Sequence, residues 1–130
     1  SVQRAKRIVV VDDDREIREI ARFALNRNGF EVVVAGNDQQ LWSELAKGLP
    51  DLIVVDVMMP GRNGYQICQA LRNEASSRAI PIIVMTAHDE SIYARLSADI
   101  GAVHHLTKPF HPLELVELCK GLLEVGVSGG

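Results

Sequence analysis

Five short apolar runs, each four to six residues long, alternate with stretches of helical periodicity along this chain. They are "RIVVV" (7–11), "EVVVA" (31–35), "DLIVVD" (51–56), "PIIVMT" (81–86) and "VHHL" (103–106). The third is unbroken β-branched residues and leucine, a pattern that suits strands buried on both faces. Between the first two runs, Ile17, Ile20, Ala21, Ala24 and Leu25 recur at spacings of three and four, marking one face of a helix that Asn28-Gly29 closes. Asn37 or Asp38 caps a second helix, with Leu41, Trp42 and Leu45 on its buried side. A third helix is expected from Tyr65 to Asn73. A fourth spans Glu90 to Asp99, between an Asp89 cap and a stop at Gly101, and a fifth runs from Pro112 to about Glu124. Strands that alternate with helices and are themselves apolar specify a parallel sheet covered on both faces. The chain reads as one α/β domain over residues 1–130, doubly wound, with a core of about 7–123 and short flexible ends.

Charge narrows the function classes. Seventeen acids outnumber 14 basic residues for a formal charge of −3, which argues against a direct nucleic-acid partner. The one basic cluster, "RAKR" (4–7), reads as a solvated lead-in to the first strand. No apolar run reaches the length of a membrane span. Cys68 and Cys119 are far apart and lack metal-ligand spacing, so each is expected to pack as a small hydrophobe in a reducing, cytoplasmic setting.

In a doubly wound sheet, ligands bind beyond the carboxyl ends of the strands, where the strand order reverses. The residues at those ends are therefore the candidates. Strand one ends in Asp12 and Asp13, strand three in Asp56, strand four in Thr86, and strand five runs out to Lys108. In the common order 2-1-3-4-5, strands one and three flank the reversal, which gathers the three aspartates with Thr86 and Lys108 opposite. Crowded carboxylates raise the cost of one another's ionisation. A hard divalent cation relieves that cost, and all-oxygen ligation suits Mg²⁺. Together with a lysine and a hydroxyl, such a cluster is fitted to a phosphoryl group, with Asp56 the best nucleophile. His104 and His105 are adjacent on a strand, so they point to opposite faces and do not chelate one ion.

"VVVDDD", "DLIVVDVMMPGRNG", "MTA" and "LTKPF", in this order and each at a strand end, closely resemble the response-regulator receiver domain of two-component signalling. The resemblance runs from about Arg7 to Leu123. Its flavodoxin-like strand order, 2-1-3-4-5, comes with the family and is not an independent deduction from the sequence. The resemblance implies that Asp56 is phosphorylated by a histidine kinase or phosphotransfer protein. Asp12, Asp13 and Asp56 would hold Mg²⁺ with the backbone carbonyl of Met58, Asp13 more directly than Asp12. Lys108 would pair with the phosphoryl group and Thr86 would reach for it once attached. The face made by the 90–99 helix, the fifth strand and the last helix would then change its binding to an output domain or to a second copy of the chain.

The chain departs from the family at His105, where Tyr or Phe is usual and acts in the switch. Met58 and His88 border the path of a hydrolytic water and are the expected controls on phosphoryl lifetime. Two rivals compete with this reading. A phosphorylation-independent pseudo-receiver would not need the intact acid set. An aspartyl-phosphate phosphatase would need a second acid two residues after the nucleophile, where Met58 stands, so no enzyme with an external substrate is expected.

Overall fold

The computed structural model describes residues 4–57, 64–87, 94–95, 98–99 and 103–123. Strand β1 (Arg7–Val11) leads to helix α1 (Arg15–Arg27), β2 (Glu31–Ala35), α2 (Asp38–Lys47), β3 (Leu52–Asp56), α3 (Gly64–Asn73), β4 (Ile82–Thr86) and β5 (His104–Thr107). A final helix covers Pro112–Leu123. The helix expected from Glu90 to Asp99 falls mainly outside the described residues; positions 94, 95, 98 and 99 are helical and exposed.

All five strands pair in parallel in the order β2-β1-β3-β4-β5. Their apolar character follows from their place in the sheet. Every residue of β3 and β4 is buried, whereas the edge strands β2 and β5 are mostly half-buried. Period-two alternation sends side chains to two separate cores. Val9, Val11, Ile53, Val55 and Val84 pack with Leu41 of α2 and with Ile67 and Leu71 of α3. Ile8, Val10, Val54, Ile83 and Met85 pack on the other face with Ala21 and Leu25 of α1 and with Leu115, Val116 and Cys119 of the final helix. Each fully buried Val, Leu or Ile contributes roughly 1.5–3 kcal/mol relative to exposure, so the two-sided strands form the rigid part of the molecule.

Local signals place the helices. Asp14 caps α1, its carboxylate accepting from the Glu16 N–H at 2.9 Å. At the other end, Gly29 takes a φ of 92° after the Asn28 cap, a conformation that suits glycine. Asn37, rather than Asp38, caps α2 by accepting from the Gln40 N–H at 2.8 Å. Cys68 and Cys119 are buried free thiols, and burial pushes each up to about 12, so they pack as expected and do not ionise. Ile20 shares the periodic face of Ala21 and Leu25 but is 37% exposed, and it lines a groove with Phe23, Pro112 and Leu113 between α1 and the final helix. Among the described residues, no helix is long and apolar enough to cross a membrane.

Candidate functional site

The carboxyl edge of the sheet carries the charge. β1 runs straight into Asp12, whose residue is fully buried, and β3 ends in Asp56, which is 3% exposed. The register of the two strands places Val11 beside Val55, so the next residue of each, Asp12 and Asp56, continues that pairing. Asp13 follows on the exposed side. One carboxylate oxygen from each of Asp12, Asp13 and Asp56 lies within 4.8 Å of the others.

Lys108 closes the cluster from β5. Its Nζ donates to Asp12 Oδ2 at 2.7 Å and to Asp56 Oδ2 at 3.1 Å. Its own N–H donates to the Thr86 carbonyl at 2.7 Å, which ties the lysine to the end of β4, and the following Lys108–Pro109 bond is cis. Asp12 Oδ1 accepts from the Asp14 N–H at 2.9 Å, so both oxygens of this buried carboxylate are engaged. Thr86, 1% exposed, places Oγ1 2.6 Å from His105 Nε2. The structure therefore brings together Asp12, Asp13, Asp56 and Lys108, with Thr86 and His105 joined to each other at the neighbouring strand ends. Met58 and His88 lie outside the described residues, as does the helix cap expected at Asp89.

Two contacts at this edge escape a reading of motifs. Arg18, one turn into α1, donates from Nη1 to the Asp12 carbonyl at 2.8 Å and so steadies the strand end that carries the acids. Its place one turn beyond the Asp14 cap was the available signal. Gly64, the first residue of α3, allows a close approach: a Cβ there would overlap the Asp56 carbonyl oxygen and sit 2.6 Å from Val57 Cα.

Burial and charge set the ionisation of this cluster. Burial pushes the Asp12 carboxyl up from 3.8 to about 6, with the Asp56 charge adding to the rise against hydrogen bonds from Lys108 and the Asp14 N–H. For Lys108, burial alone would lower the ammonium, but its hydrogen bonds to Asp12 and Asp56 outweigh this and raise it. Among the described residues, the three carboxylates outnumber the cations at this edge, Lys108 and Arg18, so negative charge is in excess. The donor set is all oxygen and hard, with Asp13 open to solvent, which fits a divalent cation such as Mg²⁺ that keeps several waters.

A stability prediction follows from the sign of the Asp12 shift. The folded state binds this proton more tightly than the unfolded chain, so ionised Asp12 costs stability. That cost, about 2–3 kcal/mol at the full shift, is present above about pH 6 and is relieved as pH falls towards 4. In chelator, thermal unfolding should give a melting temperature that rises between pH 7 and pH 5. At pH 7, Mg²⁺ should raise it by binding the folded state, and Asp13→Asn should gain less. A melting temperature that falls steadily from pH 7 to 5 in chelator would contradict this account of Asp12.

The family model of the response regulator receiver domain matches residues 8–120. The chain belongs to that family. Receiver relatives include the phosphate regulon transcriptional regulatory protein PhoB of Klebsiella pneumoniae, 40% identical over 119 residues, which are 92% of this chain and 52% of that protein. The alkaline phosphatase synthesis transcriptional regulatory protein PhoP of Bacillus subtilis is 36% identical over 118 residues, 91% of this chain and 48% of that one. This receiver chain thus spans about half the length of these curated relatives. Among solved structures, the chemotaxis protein CheY4 of Vibrio cholerae superposes with a TM-score of 0.85 at 26% identity, covering 92% of this chain and 99% of that one. The signal receiver domain of a signal transduction histidine kinase from Syntrophus aciditrophicus gives 0.82 at 30% identity, covering 97% and 95%.

Proposed function

We propose that the chain is a phosphoacceptor switch in which Asp56 takes a phosphoryl group from phosphohistidine on a histidine kinase or phosphotransfer protein. The observation that carries this reading is the convergence of Asp12 and Asp56 on the Lys108 ammonium, at the crossover edge of a receiver-family sheet. Asp56 attacks phosphorus, a new O–P bond forms, the P–N bond breaks, and the departing imidazole keeps the electron pair and takes a proton from solvent. Lys108 Nζ, already 3.1 Å from Asp56 Oδ2, neutralises charge on the transferred group. Thr86 offers its hydroxyl to a phosphoryl oxygen.

Asp12, Asp13 and Asp56 would hold Mg²⁺ with the Met58 carbonyl, and the cation would supply further positive charge for the phosphoryl oxygens. Met58 and His88 are the proposed controls on the lifetime of the phosphoryl group. The attached charge changes how the region around β5 and the final helix meets an output partner. Nothing in this sequence of steps turns over an external substrate.

Acetyl phosphate with Mg²⁺ should add one phosphoryl group to the protein, seen by intact mass, and chelator should suppress it. A protein that stays unmodified under these conditions while folded would be a pseudo-receiver instead. Catalytic turnover of phosphate esters would favour the phosphatase reading.

A further inference from the structure

Two hydroxyls converge on one nitrogen at the carboxyl end of β4 and β5. His105 Nε2 lies 2.6 Å from Thr86 Oγ1 and 3.2 Å from Thr107 Oγ1. The strand register explains the convergence. Val84 pairs with His105 and Thr86 with Thr107, so all four side chains share one face of the sheet. Thr86 is buried, whereas His105 and Thr107 are half-buried.

A ring nitrogen carries either a lone pair or a proton, so it makes one good in-plane hydrogen bond at a time. The two distances rank the partners. Which partner donates depends on the ring tautomer; where Nε2 is unprotonated, the Thr86 hydroxyl, at 2.6 Å, donates its proton to it. That proton is then committed to the ring and is unavailable to any group on Asp56.

We propose that His105 is a positioning residue that holds the Thr86 hydroxyl, and that Thr107 is the partner to which its Nε2 passes when Thr86 is drawn away. The proposal rests on Asp56 as the phosphoryl acceptor. In the resting protein, Thr86 donates to His105. Once Asp56 carries a phosphoryl group, an anionic oxygen competes for the same proton, and charge-assisted hydrogen bonds are the stronger kind. Thr86 turns to the phosphoryl oxygen, and Thr107 Oγ1, already 3.2 Å away, donates to the released nitrogen. The exchange keeps the half-buried nitrogen bonded in both arrangements. His105 therefore sets the affinity for the phosphoryl group through Thr86, without touching that group.

The test uses beryllofluoride with Mg²⁺ as the phosphoryl mimic, with two readouts. In ¹⁵N spectra of the imidazole, Nε2 of the resting parent should resonate as an unprotonated hydrogen-bond acceptor. It should move on beryllofluoride binding in the parent, but not in Thr86→Val. Titrations should show His105→Phe binding the mimic about fivefold or more tightly, since the competitor for the hydroxyl is gone. Thr107→Val should weaken binding about fivefold in the parent background and have no effect in the His105→Phe background, a coupling that a structural role alone would not produce. A protonated Nε2 in the resting protein would overturn the proposal, and so would equal affinities for parent and His105→Phe. A folded parent that neither binds beryllofluoride nor accepts a phosphoryl group would remove the acceptor role of Asp56 and this proposal with it. If His105→Phe does not fold, the ring spectra of the parent and of Thr107→Val still decide the exchange.

Discussion

Gly64→Val should be the most destabilising single substitution at the carboxyl edge, and Gly64→Ala should already lower the melting temperature by roughly 10 °C or more. A Cβ at this position would overlap the Asp56 carbonyl oxygen and lie 2.8 Å from the Asp56 carbonyl carbon. Both are backbone atoms of a strand buried on both faces, so no rotamer change makes room. Either α3 lifts away from β3 or the end of β3 shifts. Overpacking typically costs about 1–3 kcal/mol, and the upper end or more is expected where backbone opposes backbone. Because α3 begins at Gly64, lifting it also disturbs Ile67 and Leu71 in the core. Calorimetry of Gly64→Ala with unchanged unfolding would mean that the helix start can slide freely past Asp56.

The second large effect concerns chemistry. On the proposed function, Asp56→Asn should lose phosphoryl acceptance from acetyl phosphate entirely, since an amide is a poor nucleophile at phosphorus. The fold should survive the change. The amide still accepts a hydrogen bond from Lys108 at the position Oδ2 now occupies, and removing one of the crowded carboxylates lessens the repulsion on Asp12. In chelator at pH 7 the variant should therefore melt no lower than the parent. Full labelling of Asp56→Asn at another carboxylate would displace Asp56 from its role.

The central sheet was legible because its strands obey one rule throughout. The runs at 51–56 and 81–86 are apolar without alternation, and β3 and β4 are buried at every position. The edge was less clear. The fifth strand was expected at 103–106 and pairs at His104–Thr107, because Val103 is buried just before the ladder while Thr107 looks like a loop residue in sequence. That one-residue difference matters, since it brings Thr107 to the nitrogen of His105. Ile20 carries the helical spacing of a core residue, yet the groove beside the final helix leaves it exposed.

The acid cluster could be read from strand ends alone, because topology dictates which ends are neighbours. Asp12, Asp56 and Lys108 meet as that logic requires. Gly64 and the Thr86–His105–Thr107 contacts could not. The first depends on how closely one backbone passes another, and the second on side-chain rotamers and register, neither of which leaves a pattern in the residue order.

One measurement addresses the central claim most directly. The protein is phosphorylated with acetyl phosphate and Mg²⁺, then treated with borohydride, which reduces an acyl phosphate to an alcohol with release of phosphate. Peptide mass mapping then locates the reduced side chain. The account predicts a single modified position, at Asp56, and none at Asp12 or Asp13. Reduction at Asp12 or Asp13, or a phosphoryl group that resists borohydride because it is not an acyl phosphate, would contradict it.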